Sequence, residues 1–197
     1  METLYDTLSE KKQKIFNVCV NLFYQKGFAE TSVRDIAQDL NIKASSLYAH
    51  VDSKEQILEW IITHYIDIVT NTLSEFKQES RTFAEQMNFI IQKNVTITLD
   101  SKELSYVFKR YMHLVDLKIR QRYIDFSKEY RVILSNALNH YKAEKQIDFD
   151  PDLAANFLIF SLNNVYKWIP ENYTKPEIID IFKNKIIGGF IGKKIEC

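Results

Sequence analysis

Apolar residues recur every three to four positions along most of this 197-residue chain, a spacing that places them on one face of a helix. The first predicted helix covers residues 9–26 and ends at Gly27 as a C-terminal cap, with Met1 to Asp6 expected to be frayed before it. Further helices are predicted from 53 to about 77, from 82 to 99, from 100 to about 116 and from 118 to 145. Only four glycines and three prolines occur, so helix is expected throughout.

Polar residues mark the starts of several predicted helices. Thr82 and Thr174 are each followed three residues later by a glutamate, which is the spacing of a capping box. Asp150 stands before Pro151 and combines a capping carboxylate with proline at the first helical position. These positions predict helix starts at 82, 150 and 174.

The last two predicted helices, residues 153–169 and 178–191, are apolar nearly all round. A helix without a polar face has to be buried on both sides. In a short chain, the economical solution is a four-helix bundle formed with a second copy of the chain. The expected dimer interface consists of Phe157, Phe160, Asn164, Ile179, Phe182, Ile186 and Phe190.

Residues 31–58 predict a helix-turn-helix, and the rest of the chain is organised around it. Ser32 can cap the first helix, with the carboxylate of Asp35 in its first turn. Asn41 tolerates the left-handed backbone that a sharp turn needs, and Ile42 is expected to fill that turn from inside. The inward residues of this helix are Ile36, Ala37 and Leu40.

The second helix of this motif is predicted from about 44 to 51, with Leu47 and Val51 pointing inward. Small and polar residues occupy its outer face, as a recognition helix needs if it is to approach base edges in the major groove. After it, Ser53 and Gln56 have the spacing of a capping box that opens the next helix.

These residues resemble the DNA-binding signature of the TetR family of bacterial transcriptional repressors. The matching run is T-S-V-R-D-I-A-x-x-L-N-I-x-x-S-S-L-Y-x-H-V-x-S-K-E-x-I-L, and Gly27-Phe28 matches the family's short link after the first helix. Val51 stands where the family usually has an aromatic residue and Asn41 where glycine is common, but both keep the physical role. The resemblance implies an all-α fold of about nine helices, with a helix-turn-helix domain at residues 1–58 and a helical effector-binding and dimerisation domain at 59–197.

A symmetric dimer of this kind is expected to read a double-stranded inverted-repeat operator, with its two recognition helices about 34–36 Å apart. From their positions, Arg34, Lys43, Ser45 and Ser46 are expected to approach base edges, with Ala44 beside them. The residues expected mainly to hold phosphates are Thr31, Ser32, Tyr48, His50 and Lys54.

The middle helices carry many aromatic residues, which are more often core than ligand site. TetR-like proteins, however, usually enclose an apolar effector site between these helices. The segments 150–155 and 162–170 are similar to a branch of the family that regulates fatty-acid metabolism and binds acyl-CoA thioesters, which suggests an acyl-CoA effector. The candidate effector-binding residues are Phe89, Tyr106, Arg110, Tyr111, Arg120, Tyr123, Phe126 and Trp168.

Composition narrows the function classes further. The formal net charge is zero, and residues 1–58 hold seven basic and eight acidic residues, which argues against a non-specific DNA coat. Two cysteines, no signal segment and no long apolar run predict a soluble cytoplasmic protein without a membrane span. No catalytic or metal-ligand motif is present, so neither an enzyme nor a cofactor is expected. The alternative to a ligand-responsive repressor is a helical protein-interaction module without specific DNA binding.

Overall fold

The structure is a computed structural model, and it describes residues 1–77, 81–170 and 172–187. Within these ranges every regular element is helical and no strand occurs, which confirms the all-α prediction. The α-helices are α1 (Leu4–Thr7), α2 (Glu10–Gln25), α3 (Val33–Asp39), α4 (Ala44–Leu47), α5 (Lys54–Lys77), α6 (Phe83–Asp100), α7 (Lys102–Tyr111), α8 (Leu117–Lys145), α9 (Pro151–Asn163), α10 (Val165–Trp168) and α11 (Lys175–Asp180). A 3₁₀ turn follows α7 at Met112–Leu114, and a π-helical segment follows α11 at Ile181–Ile187.

The described part of the chain has eleven α-helices against the nine expected, because α1 lies in the stretch expected to be frayed and the apolar stretch 153–169 is divided into α9 and α10. The chain forms two compact units. The first unit comprises residues 1–71 and 103–124, and the second comprises residues 72–102 and the described residues from 125 onward. The predicted domain boundary at residue 58 falls inside α5 and stays a prediction.

The first unit is built around the apolar faces of α2 and α5. Both helices bury their apolar positions at helical spacing, so that Phe23, Ile61 and Ile66 are fully inaccessible. Helix α7 adds Val107 and Phe108, and the ring of Phe108 stacks on Tyr65 with centroids 4.2 Å apart. The helix-turn-helix and α7 therefore belong to one packed body, although they are far apart in sequence.

The N-terminal residues are ordered into this body, so the expectation of a frayed start is wrong. The backbone amide of Leu4 donates to the Asp67 carboxylate at 2.8 Å, which ties α1 to α5. The Tyr5 ring lies 5.0 Å from Phe16 and 5.3 Å from His64. Burial between these two rings lowers the pKa of His64, against the opposite effect of the nearby Asp6 and Asp67 carboxylates.

The second unit has α6 at its centre, packed against α9, α10, α11 and the π-helical segment. Its core consists of Met87, Ile90, Ile91, Val95, Leu134, Leu138, Ala154, Ala155, Leu158, Leu162, Val165, Ile169, Ile178 and Phe182. The helix starts predicted from capping residues are confirmed. The amides of Thr82 and Thr174 donate to Glu85 and Glu177 at 2.8 and 2.7 Å, and Asp150 accepts from two amides of α9.

The apolar stretch 153–169 is two helices and not one. The chain breaks between α9 and α10 at Asn164, which has φ −117° and ψ 15°. Its side-chain amide donates to the Phe160 carbonyl at 2.9 Å, and such side-chain bonds compete with the backbone pattern of a continuous helix. The Trp168 indole closes the break by donating to the Ser161 carbonyl at 3.1 Å. Among the described residues, no helix combines the length and apolar character that a membrane crossing requires.

Candidate DNA-binding surface

The first helix of the motif, α3, begins with the predicted cap. The Asp35 amide donates to the Ser32 hydroxyl at 3.1 Å, and the Ser32 amide donates back to the Asp35 carboxylate at 2.7 Å. The Lys26 ammonium lies 2.8 Å from the same carboxylate. These contacts, with the Lys26 bond as the largest, hold the pKa of Asp35 well below its usual range. The Ser32 hydroxyl is exposed but is already engaged in the cap, which limits its use as a phosphate donor.

The turn between α3 and α4 has the predicted left-handed residue. Asn41 adopts φ 53°, a conformation that Asn reaches more easily than most residues. The turn is closed by backbone bonds, since the Ile42 amide donates to the Ala37 carbonyl at 2.9 Å. The Ile42 side chain is 39% exposed, so the expectation that it fills the turn from inside is wrong.

The second helix of the motif, α4, starts after Lys43 and continues as turns through residues 48–50. Leu47 and Val51 are buried as predicted, with 1% and 4% exposure, and they anchor this segment from below. The outer face carries the predicted polar residues: Lys43, Ser45, Ser46 and Tyr48 are exposed, while Ala44 and His50 are half-buried. Arg34 lies exposed in the first turn of α3. Their contact with DNA stays a prediction.

Two residues predicted to hold phosphates use their polar atoms inside the protein, which contradicts the prediction for the buried Thr31 and argues against it for Lys54. Thr31 is 1% exposed, and its hydroxyl donates to the Gly27 carbonyl at 2.7 Å. The Lys54 ammonium donates to the carbonyls of Phe28 at 2.7 Å and Thr31 at 2.9 Å, and it lies 4.4 Å from the Phe28 ring centroid. Lys54 therefore ties α5 to the loop between α2 and α3.

The start of α5 itself follows the predicted pattern only in part. The Gln56 amide donates to the Ser53 hydroxyl at 3.1 Å, as in a capping box. The Gln56 side chain reaches back to Asp52, accepting from its amide at 3.0 Å and donating to its carboxylate at 2.8 Å. In a capping box the Gln56 side chain would accept from the amide of Ser53. Here it accepts from the amide of Asp52, one residue earlier.

The candidate effector residues are divided between the two units. Tyr106, Arg110, Tyr111, Arg120 and Tyr123 belong to the first unit, and Phe89, Phe126 and Trp168 to the second. In the first unit, Arg110 donates to the Tyr106 hydroxyl at 2.7 Å and the Tyr123 ring lies 4.7 Å from Phe108. Tyr111 is turned toward the loop between α2 and α3, where its hydroxyl accepts from the Phe28 amide at 3.1 Å. The Tyr111 hydroxyl therefore makes a structural contact, and the role of this residue in an effector site stays a prediction.

In the second unit, Phe89 lines a surface groove of about 400 Å³. The Arg81 guanidinium lies 4.4 Å from the Phe89 ring centroid, and the Lys93 ammonium lies 5.3 Å from it while pairing with Glu75 at 2.9 Å. The sequence analysis did not name Arg81 or Lys93. The spacing of Lys93 four residues after Phe89 on α6 was the available signal, whereas Arg81 lies before that helix and reaches the ring only through the fold. Phe126 stacks on Tyr130 with centroids 5.7 Å apart. The effector site stays a prediction.

The residues predicted for the dimer interface separate into two groups. Phe157 and Phe160 are 43% and 68% exposed on α9, beside Leu153 at 64%. Phe182 is fully buried in the second unit's own core, so its assignment to an interface is wrong. Asn164 is half-buried and bonded to its own helix, Ile179 and Ile186 are half-buried, and Phe190 lies outside the described residues.

Comparison with known proteins adds sequence relatives to this geometry. Residues 15–61 match the family model described as bacterial regulatory proteins, tetR family. An uncharacterised HTH-type transcriptional regulator of Bacillus subtilis, YuxN, is 27% identical over 91% of this chain and 62% of its own length. IcaR of Staphylococcus aureus, a negative transcriptional regulator of a biofilm operon, is 40% identical over 62 residues, which are 32% of this chain and 33% of IcaR. The chain therefore spans less than two thirds of either relative.

A solved structure shares the fold. AibR in complex with isovaleryl coenzyme A and operator DNA aligns with a TM-score of 0.73 over 93% of this chain and all of that chain, at 19% identity. At 19% identity, this similarity indicates a shared fold and nothing about function.

Proposed function

We propose that the chain is a dimeric transcriptional repressor of the TetR family that binds an inverted-repeat operator and is released by a small apolar effector. The match of residues 15–61 to the tetR family model supports this proposal. The family consists of DNA-binding regulators and not of enzymes. The proposed site of action is the bacterial cytoplasm, where operator DNA is found. The observation that carries the proposal is the surface of α4, with polar side chains outside and two apolar anchors beneath.

The α4 surface has the chemistry of a base reader. Lys43, Ser45 and Ser46 are exposed at the start of the helix, where small side chains let the backbone approach the major groove. Arg34 adds a second cation from α3. We assign these four residues to base edges, and Tyr48 and His50 to the flanking phosphates. Ser32 is a weaker candidate for a phosphate contact, because its hydroxyl already donates to the Asp35 carboxylate. Thr31 and Lys54 are removed from the phosphate set.

The decisive experiment is selection from random duplex DNA with the purified protein. The expected result is an enriched inverted repeat whose half-sites lie about one DNA turn apart. Lys43→Ala and Ser46→Ala should change the enriched sequence, whereas Lys14→Ala, a change at an exposed lysine of α2, should leave it unchanged. If no sequence is enriched even after the protein has been unfolded, stripped of ligand and refolded, the repressor proposal is wrong and a protein-interaction module is favoured.

A dimer is supported by the exposed apolar face of α9. Monomeric proteins rarely leave several large apolar side chains together in water, and Leu153, Phe157 and Phe160 are all on this helix. Sedimentation equilibrium should show a dimer for the wild type and a monomer for Phe160→Glu. Val132→Glu is the matched control, because Val132 is 57% exposed on α8 and lies outside this face. A monomeric wild type would contradict the dimer.

The proposed effector class is an acyl-CoA thioester. The aromatic residues predicted for the site suit an acyl chain, and AibR has been solved with a short acyl-CoA. Arg120 offers a cation whose Nε is buried without a hydrogen-bond acceptor in the described part of the chain. A phosphate or carbonyl oxygen of a ligand would satisfy such a donor.

Thermal unfolding in the presence of acyl-CoAs of several chain lengths tests this class. A ligand at 100 times its Kd adds about 2.7 kcal/mol to the free energy of unfolding, enough to raise Tm by roughly 5–10 °C in a chain of this size. Arg120→Met should reduce that rise, and Arg131→Met, at an exposed position of the same helix, should not. The absence of stabilisation by any acyl-CoA would exclude the class.

A further inference from the structure

The loop that joins α2 to α3, residues 27–31, is held by three side chains. One belongs to the loop itself, one to α5 and one to α7. The Thr31 hydroxyl donates to the Gly27 carbonyl within the loop, and the Lys54 ammonium of α5 takes the Phe28 carbonyl. On the opposite side of the same residue, the Phe28 amide donates to the Tyr111 hydroxyl of α7 at 3.1 Å. Phe28 is thus clamped through both its carbonyl and its amide.

We infer that Tyr111 is a positioning residue for DNA reading, because it fixes the loop that sets where α3 and α4 lie against α2. The inference rests on the proposed function for its DNA readout. Tyr111 lies 50 residues beyond the segment that matches the family model, so it is not a part of the helix-turn-helix itself. Its contribution comes from α7, which belongs to the same compact unit.

The geometry leaves the Tyr111 hydroxyl little freedom. The side chain is 8% exposed, and its ring lies 5.9 Å from the Phe28 ring, which in turn packs edge-on against Phe23 at 5.1 Å. A buried ring moves its hydroxyl only by moving as a whole. The acceptor offered to the Phe28 amide is therefore fixed by the position of α7.

Gly27 is fitted to this contact in two ways. Its φ of +95° is a conformation that side chains disfavour. A Cβ at this position would lie 3.2 Å from the Tyr111 oxygen, which is tighter than ordinary contact. The hydroxyl thus approaches the backbone at a point where only glycine leaves room, and the loop and α7 are matched in shape as well as by the hydrogen bond.

The test compares Tyr111→Phe with Tyr5→Phe. Both changes remove one tyrosine hydroxyl of the first unit that accepts a hydrogen bond, but the Tyr5 hydroxyl accepts from the Asn17 side chain of α2 at 3.0 Å and not from the loop. Binding to the selected operator and to random DNA is measured by fluorescence anisotropy well below the melting temperature, and amide exchange is measured at Phe28. Loss of one hydrogen bond should raise the operator Kd two- to tenfold. The ratio of operator to random-DNA affinity should fall with it.

Tyr5→Phe should leave the affinity ratio and the Phe28 exchange at their wild-type values. A loss of stability without a role in positioning would lower Tm but leave the affinity ratio of the folded protein unchanged. The inference is overturned if Tyr111→Phe keeps the wild-type ratio, whatever its Tm. If the wild type itself selects no operator, the proposed function fails. Faster exchange at Phe28 in Tyr111→Phe alone would then still establish the contact, and unchanged exchange would refute it.

Discussion

Replacing Lys54 by methionine separates two roles that a lysine in this motif can have. Methionine keeps most of the apolar stem and removes the ammonium. In the folded protein that ammonium donates to the Phe28 and Thr31 carbonyls at 2.7 and 2.9 Å and lies over the Phe28 ring. A structural clamp predicts lower stability for Lys54→Met, whereas a phosphate contact predicts weaker DNA binding with a changed salt dependence.

The size of the stability effect follows from the two hydrogen bonds. Bonds to a charged group contribute about 1.5–3 kcal/mol each, and the lower end applies because Lys54 is half-buried. Water can reach part of the released carbonyls, so the net loss should be about 2 kcal/mol. For a chain of this length, such a loss lowers Tm by roughly 4–8 °C.

Two measurements decide between the roles. Thermal unfolding gives the change in Tm, and operator affinity at several salt concentrations gives the number of phosphates neutralised, at a slope of about 0.9 per phosphate. We expect Lys54→Met to lower Tm and to keep the salt slope. Lys43→Met, at an exposed position, should keep Tm and change DNA binding. The clamp assignment is refuted if Lys54→Met melts like the wild type and has a smaller salt slope.

Three further outcomes test the buried groups of the first unit. Thr31→Val leaves the Gly27 carbonyl without its donor and should lower the free energy of unfolding by about 1–3 kcal/mol. The salt dependence of DNA binding should not change, and an unchanged Tm would contradict the prediction. Burial lowers the pKa of His64 below its ordinary value of 6.5, so the imidazole binds a proton more readily in the unfolded state than in the folded state. The stability of the protein should therefore fall as the pH drops below about 6.5. His64→Phe should weaken this pH dependence of Tm. Burial raises the pKa of the Cys19 thiol to about 12, so in a Cys197→Ser protein a thiol reagent at pH 8 should react only at the rate of unfolding, and rapid reaction of the native protein would contradict that.

Local backbone chemistry could be predicted from the sequence. Each of the caps at Ser32 and Thr82 pairs a residue with a carboxylate three positions later. The left-handed conformation of Asn41 likewise depends on the residue type at that position. The same holds for the inward placement of Leu47 and Val51, which helical period alone determines. These are the features that pattern reasoning can reach, because the interacting groups are neighbours in the chain.

Partners that are distant in sequence could not be predicted. Lys54 lies 26 residues from the Phe28 carbonyl that it binds, and Tyr111 lies 83 residues from the Phe28 amide. Exposure on a helical wheel cannot show which polar atoms find an internal acceptor. The same limit explains Phe182 and Phe160: both lie on helices that are apolar all round, and only packing decides that the first is core and the second surface.

The inward use of polar groups has a consequence for DNA binding. Of the seven basic residues before position 59, Lys26 pairs with Asp35 and Lys54 binds carbonyls. The remaining five are Lys11, Lys12, Lys14, Arg34 and Lys43. The first 58 residues of a single copy therefore have few cations to neutralise phosphates, and the affinity of one copy for one half-site should be weak and moderately salt-dependent. Joining two copies makes the second half-site contact intramolecular and multiplies the affinity without new contacts. If the α9 face joins those copies, Phe160→Glu should abolish operator binding at concentrations where the wild type is saturated.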